Sequence, residues 1–293
     1  MLRDKQFKII AVLIILTISI WTTALLSSQK TLNVTFLDVG EGLCTVVRTP
    51  SGKILVMDCG TSSWGKNDVI GQKLVAPYLQ SMGVDRIDVA VLSHPHSDHI
   101  SGYPGLLKLK PANMVLDIGA RSHASPVYKR FLNTVKKSGA EYRIAKCGQT
   151  IDMGDDVSVE VLNPNPIHSY TDLNNQSIAI RVIYRQVAFL LTADTGEEAE
   201  LQMLESKMKL RSQVLQVGHH GSSDSSSLTW LQAVKPQAAV ISCGYKNQYH
   251  HPSIETIRRL QNTGTRIYRT DRHGAVSFTT DGSVIRVNTI RKN

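Results

Sequence analysis

Beyond residue 30 the apolar positions follow two alternating rhythms, and each change of rhythm predicts a change of element. "TLNVTFLDVG" and "GLCTVVRTPSGKILVMDCG" read as three strands, with Pro50-Ser51-Gly52 as a hairpin turn. "DVIGQKLVAPYLQSMG" shifts to a spacing near 3.6 and stops at Gly83, which predicts a helix closed by glycine. "RIDVAVLSH" is a short β-branched strand, followed by a helix around 103–109, the strand "NMVLDIG" and the helical "SPVYKRFLNTVKKSG". Residues 141–191 are strand-rich, with "DVSVEVLNP", "SIAIRVIYRQ" and "VAFLLTAD". A helix near 196–208 and strands over 213–217 and 237–242 come next. A helix over 253–262 and strands near 266–270, 275–279 and 284–289 complete the pattern. Strand-rich segments interrupted by helices predict two sheets covered by helices. No linker or composition shift divides residues 31–293, which therefore read as one domain.

The first thirty residues break this pattern. Arg3, Lys5 and Lys8 precede an uncharged run from Ile9 to Leu26, eighteen residues with no polar face. That length is near the lower limit for a membrane-spanning helix. A secretory signal has the same layout, but Ala24-Leu25-Leu26 makes a poor cleavage site. The expectation is a signal anchor over residues 1–30, or a cleaved signal. The domain would then lie outside the cytoplasm, tethered to the cell membrane by a single pass, or secreted if the signal is cleaved.

Composition narrows the partners. The net charge is +9, and without Arg3, Lys5, Lys8, Lys30 and Asp4 the balance is 29 cationic against 23 acidic side chains, or +6. Such a surplus favours polyanions such as nucleic acid, teichoic acid or anionic head groups. Aromatic residues are only 6% of the chain, so composition advertises no base-stacking platform. Cys44, Cys59, Cys147 and Cys243 form no metal-knuckle spacing and read as free thiols.

The chemistry concentrates in "LSHPHSDHISG". His94, His96, Asp98 and His99 fall within six positions of a chain that has 10 histidines in 293 residues. His94 and His96, two apart at a strand end, share a face. Asp98 and His99 are expected in the following loop, serving a second position. Imidazole and carboxylate are the usual ligands of zinc and also suit manganese or iron. Four ligands do not complete two sites. Asp194, after "VAFLLTAD", and His219 and His220, in "VGHHGSS", also stand at strand ends. Asp38 and Asp58 end strands of the first sheet, where each can either orient a histidine or cap a turn.

"HPHSDH" matches the HxHxDH signature of metallo-β-lactamase-fold hydrolases. "VTFLDVGEG", "TPSGKILVMDCG", "NNQSIAIRV", "FLLTADT", "LQVGHHGS", "HHPS" and "TDRHGAVSF" appear in an order that resembles the extracytoplasmic domain of the ComEC competence family and its free-standing relatives. The resemblance spans residues 32–289 and implies an αββα four-layer sandwich with two divalent metal ions, Zn²⁺ or Mn²⁺, at one edge. It assigns His94 and His96 to one metal, Asp98 and His99 to the other, Asp194 as the bridge and His219, in preference to His220, to complete the second site. Asn174 and Asn175 occupy the region where the wider superfamily supplies a third histidine. Besides Asp98, His123 is a candidate proton donor and His251 a candidate substrate contact.

The expected function is a membrane-anchored phosphodiesterase or nuclease acting on DNA, linked to competence, with no organic cofactor. The alternatives are an esterase acting on phosphorylcholine or teichoic acid, and a metal-dependent docking module without turnover. A β-lactamase fits less well, because the third histidine is missing.

Overall fold

The computed structural model describes residues 5–6, 10–17, 19, 30–62, 69–120 and 125–291. Two compact units emerge, Met1–Thr31 and Leu32–Asn293. In the first, residues 10–17 are helical. Among the described residues no helix is long and apolar enough to cross a membrane. The single-pass anchor, and the location inferred from it, is therefore corrected: it is not supported. Residues 9, 18 and 20–26 of the expected span lie outside the described residues.

In the second unit the predicted strands pair into two sheets. The first contains β1 (Leu32–Phe36), β2 (Thr45–Arg48), β3 (Ile54–Met57), β4 (Ile87–Val91), β5 (Ala112–Asp117) and β6 (Glu141–Ile144). The second contains β7 (Thr150–Asp152), β8 (Val157–Asn163), β9 (Ala179–Tyr184), β10 (Val187–Leu191), β11 (Val214–Gln216), β12 (Ala238–Ile241) and β13 (Arg266–Arg269). The chain then returns to the first sheet with β14 (Val276–Thr280) and β15 (Ile285–Thr289), giving the order β15-β14-β1-β2-β3-β4-β5-β6. β3 to β6 run parallel, as do β10 to β13. Parallel neighbours require crossovers, and these supply the helical layers.

Alternation along the strands places the core. Val34, Phe36, Leu55, Met57, Val89 and Val91 of the first sheet share one apolar cluster with Val159, Val161, Val182, Phe189 and Val240 of the second. Phe189 meets Phe278 edge-on across the two sheets at 6.1 Å, the geometry that ring quadrupoles favour. The other faces carry helices. Against the first sheet pack α1 (Ala76–Ser81), which continues a π turn at Gly71–Val75, then α3 (Tyr103–Leu109) and α4 (Pro126–Ser138). Short α2 (Ser97–Ile100) lies between α1 and α3 in the chain. Against the second pack α5 (Glu197–Glu205), α6 (Leu228–Val234) and α7 (Ile254–Asn262), and α8 (Thr270–His273) closes the last crossover. Fully burying each large apolar side chain contributes about 1.5–3 kcal/mol.

Three short helices differ from expectation, one of them α8, which begins where the strand near 266–270 was expected to end. α6 was not predicted, although Ser227 caps it by accepting from the Trp230 N–H at 3.3 Å. Asp98 and His99 lie on α2 rather than in a loop. The four cysteines are free, and three of them are buried.

Candidate metal centre

Both sheets bring the carboxyl ends of parallel strands to the same edge. Asp58 follows β3, Ser93 and His94 follow β4, Asp194 follows β10, His219 and His220 follow β11, and Ser242 follows β12. Several of these positions adopt left-handed backbone: φ is 59° at Asp58, 49° at Ala193, 47° at His219 and 52° at His220. Non-glycine residues there cost of order 1 kcal/mol each and cluster at functional sites. Close packing holds them. The His219 N–H donates to the Ala193 carbonyl at 2.9 Å, and a Cβ on Gly221 would meet Pro252 at 2.6 Å. Gly60 is equally constrained, because a Cβ there would overlap the Asp98 carbonyl and the His99 amide.

The donor atoms of Asp98, His99, Asp194 and His220 all lie within 4.8 Å of one another. His99 Nε2 is 3.1 Å from Asp194 Oδ2 and 3.7 Å from Asp98 Oδ2. His220 Nε2 is 3.2 Å from Asp98 Oδ2 and 3.5 Å from Asp194 Oδ1. His94 Nε2 is 3.9 Å from the same Asp194 Oδ2 that faces His99, and 3.0 Å from His96 Nδ1. Asp194 thus offers Oδ2 to both His94 and His99, whose rings lie 4.2 Å apart, and Oδ1 to His220, so one carboxylate reaches three imidazoles.

Neighbouring groups set the tautomers. Ser93 donates its N–H and its hydroxyl to Asp58, each at 2.7 Å, leaving that carboxylate to accept from His99 Nδ1 at 2.8 Å. The Ser242 carbonyl accepts from His220 Nδ1 at 2.8 Å. His94 Nδ1 faces the hydroxyls of Ser93 and Ser177 at 3.0 and 3.2 Å. When His99 and His220 are neutral, the far nitrogen of each therefore carries the lone pair aimed into the cluster, the arrangement by which outer groups orient metal-binding histidines.

Electrostatics and unmet hydrogen bonds both favour a cation here. Burial opposes charge on His220, yet Asp194 and Asp98 lift it to about 9. Burial likewise opposes charge on His99, but Asp194, Asp98 and Asp58 raise it well above the usual imidazole range. Burial pushes Asp98 and Asp194 up, and these imidazoles more than reverse that, holding both carboxyls low. Without a metal, two protonated histidines must neutralise two carboxylates; a divalent cation does the same with neutral imidazoles. His99 Nε2, Asp194 Oδ1 and Asn174 Oδ1 are buried and accept or donate no hydrogen bond. Buried polar atoms are rarely left so, and a shared cation would satisfy the cluster. The residues fit a metal pair.

These positions sort the candidates. His219 sits at the rim, with Nε2 3.3 Å from Asn174 Nδ2 and Nδ1 3.4 Å from Asp224, so His220 takes the place expected for it. Of the two asparagines, Asn175 accepts from the N–H groups of Gly196 and Ala199 and caps α5, while Asn174 faces the cleft. Asp58 orients His99, whereas Asp38 accepts from Gly40 N and pairs with Arg291. His251 lines the cleft, stacked 6.5 Å from His220. Burial and the neighbouring His220 and His219 push it down to about 4, so it is neutral at pH 7 and is a poor proton donor. His123 lies outside the described residues. One buried carboxyl was missed by the sequence reading: Glu41 of "LDVGEG" lines the same cleft and accepts from Gly244 N at 2.6 Å. Its position between two glycines beside Asp38 was the available signal. The cleft encloses about 270 Å³ and is lined mainly by polar side chains.

Comparison with known proteins identifies the family. Competence protein ComA of Neisseria gonorrhoeae is 34% identical over 247 residues, 84% of this chain and 32% of that protein. ComE operon protein 3 of Bacillus subtilis is 28% identical over 256 residues, 84% of this chain and 32% of that protein. Recombination protein 2 of Haemophilus influenzae is 30% identical over 249 residues, 85% of this chain and 29% of that protein. The chain therefore spans about a third of the length of these relatives. The structure of CmlA, a diiron beta-hydroxylase from Streptomyces venezuelae, superposes with a TM-score of 0.54 at 12% identity, over 90% of this chain and 55% of that one, a likeness of fold alone. Residues 37–245, which hold the HPHSDH stretch, Asp194 and the GHHG turn, match the metallo-beta-lactamase superfamily profile. With that match, two sheets that meet at one His- and Asp-lined edge, and relatives along most of its length, the chain belongs to the metallo-beta-lactamase superfamily.

Proposed function

We propose that this chain is a two-metal phosphodiesterase whose substrate is DNA. The observation that carries the reading is the convergence of His94, His96, Asp98, His99, Asp194 and His220, with buried lone pairs left unmet, on one open polar cleft. His94, His96 and Asn174 would hold one cation, Asp98, His99 and His220 the other, and Asp194 both. Bound there, two divalent ions lower the pKa of water toward 7 and stabilise charge on a phosphoryl group. The chain's part is placement: Asp58, Ser242 and Ser177 fix the imidazoles, and the cleft admits a substrate from one side. The +6 balance beyond residue 30 favours a polyanion. Relatives named for competence and recombination favour DNA as that polyanion. The test is a panel of single-stranded DNA, duplex DNA, bis-p-nitrophenyl phosphate, p-nitrophenyl phosphorylcholine and nitrocefin, with Zn²⁺ or Mn²⁺. Turnover of the DNA and the diester supports the reading; turnover confined to the choline ester or nitrocefin refutes it.

The two ligand sets are unequal. An amide oxygen is a weaker donor than imidazole or carboxylate, so the site of His94, His96 and Asn174 should bind more loosely. Titration with chelator should remove one metal equivalent well before the second, as read by metal analysis. Simultaneous loss of both, or one metal per chain at saturation, would contradict this assignment.

A further inference from the structure

We propose that Tyr249 is a stacking platform for a nucleobase beside the scissile phosphate, which gives the cleft a preference for unpaired strands. The inference rests on the phosphodiesterase reading for its substrate. Among the described residues, Tyr245 and Tyr249 are the only Phe, Tyr or Trp side chains that are exposed, at 72% and 56%. Both lie on the loop between β12 and α7, and Tyr249 lines the cleft together with Asp98, Asp194 and His220. Both exposed aromatic rings of the described residues thus stand on one loop, and one of them lines the cleft.

The rings are ordered. Tyr249 lies nearly parallel to His251, at 5.8 Å and 19°, and His251 lies nearly parallel to His220, at 6.5 Å and 26°. A column of flat rings therefore leads from solvent to the cluster. Asn247 holds the loop in shape, donating to the carbonyls of Gly244 and His251 at 2.9 and 2.7 Å and accepting from the His251 N–H at 2.9 Å. A platform held in place before binding loses little entropy when a ring settles on it. Lys246 stands over the Tyr245 ring at 5.4 Å, supplying positive charge for a phosphate next to the platform. A quaternary ammonium would need a cage of open aromatic faces. Here His251 already covers one face of Tyr249 and a lysine stands over Tyr245, so a flat, uncharged ring is the better match. A base in a duplex has both faces stacked and cannot reach it; an unpaired base can.

The test compares a short single-stranded oligodeoxynucleotide with the same strand made fully abasic, using the full chain and its Tyr249→Ala and Tyr249→Phe variants. KM and kcat are measured with metal, and Kd by fluorescence anisotropy in chelator. Tyr249→Ala should raise KM and Kd for the base-bearing strand about tenfold, without a matching fall in kcat. Tyr249→Phe, which keeps the ring face, should stay within about twofold of the parent. The abasic strand should not distinguish the three proteins. Equal effects on both strands, or none on either, overturn the platform, as does an effect confined to p-nitrophenyl phosphorylcholine. Base-dependent binding without hydrolysis by the parent would keep the platform and refute the phosphodiesterase reading. Hydrolysis of both strands with equal KM would do the reverse.

Discussion

Asp194→Ala is expected to lower phosphodiester hydrolysis by several powers of ten while leaving the metal-free fold intact. Each tenfold corresponds to about 1.4 kcal/mol of barrier. The carboxylate faces His94 and His99 with Oδ2 and His220 with Oδ1, and its loss removes the shared negative charge that would let two cations sit together. A purely structural role as a helix cap would cost about 1 kcal/mol of stability and spare the rate. The geometry speaks against that role, because α5 is capped by the Asn175 side chain and Asp194 Oδ1 makes no hydrogen bond. Three readings on one sample decide: melting temperature with and without metal, metal content, and turnover of bis-p-nitrophenyl phosphate. The parent should gain thermal stability from metal by mass action, and the variant should gain much less. A variant that keeps both metals and full turnover would overturn the bridging role.

His220→Ala and His219→Ala should differ sharply, although the residues are adjacent. Losing an outer partner of a metal ligand already costs about 10–100-fold in affinity or activity, and loss of the ligand His220 should exceed that. His219→Ala, which removes a contact to Asn174 and an ion pair with Asp224 at the rim, should stay within about tenfold. Metal titration and kcat on the diester measure both. The opposite ranking would restore His219 to the cluster and displace His220.

How much of this was legible depends on how local each signal was. Four ligand candidates in "HPHSDH" are contiguous, so their shared purpose could be read without any tertiary information. The choice between His219 and His220 could not. Left-handed backbone at both residues, and a carbonyl at Ser242 that takes the Nδ1 proton of His220, decide which ring turns inward. The division of labour between Asn174 and Asn175, and between Asp38 and Asp58, has the same origin. Each pair is chemically equivalent in one dimension and is separated only by what the fold packs beside it. Most strand and longer helix positions followed from hydrophobic period; the four-residue α2 and α8 and the seven-residue α6 did not, and the short apolar stretch of α6 follows a serine run that reads as loop. Its Ser227 cap was the signal overlooked. The low aromatic content argued against a stacking surface, yet composition averages over the chain and is silent about where two exposed tyrosines fall. The apolar run near the start was read by length and charge alone. Among the described residues no helix is long and apolar enough to cross a membrane, which that reading required.

The most direct test of the central claim is the rate of bis-p-nitrophenyl phosphate hydrolysis by metal-stripped protein as Zn²⁺ or Mn²⁺ is added back. The account predicts no turnover in chelator and a rise that levels off only when two equivalents are bound. Hydrolysis that survives complete removal of metal, or no hydrolysis at any loading of either ion, would contradict it.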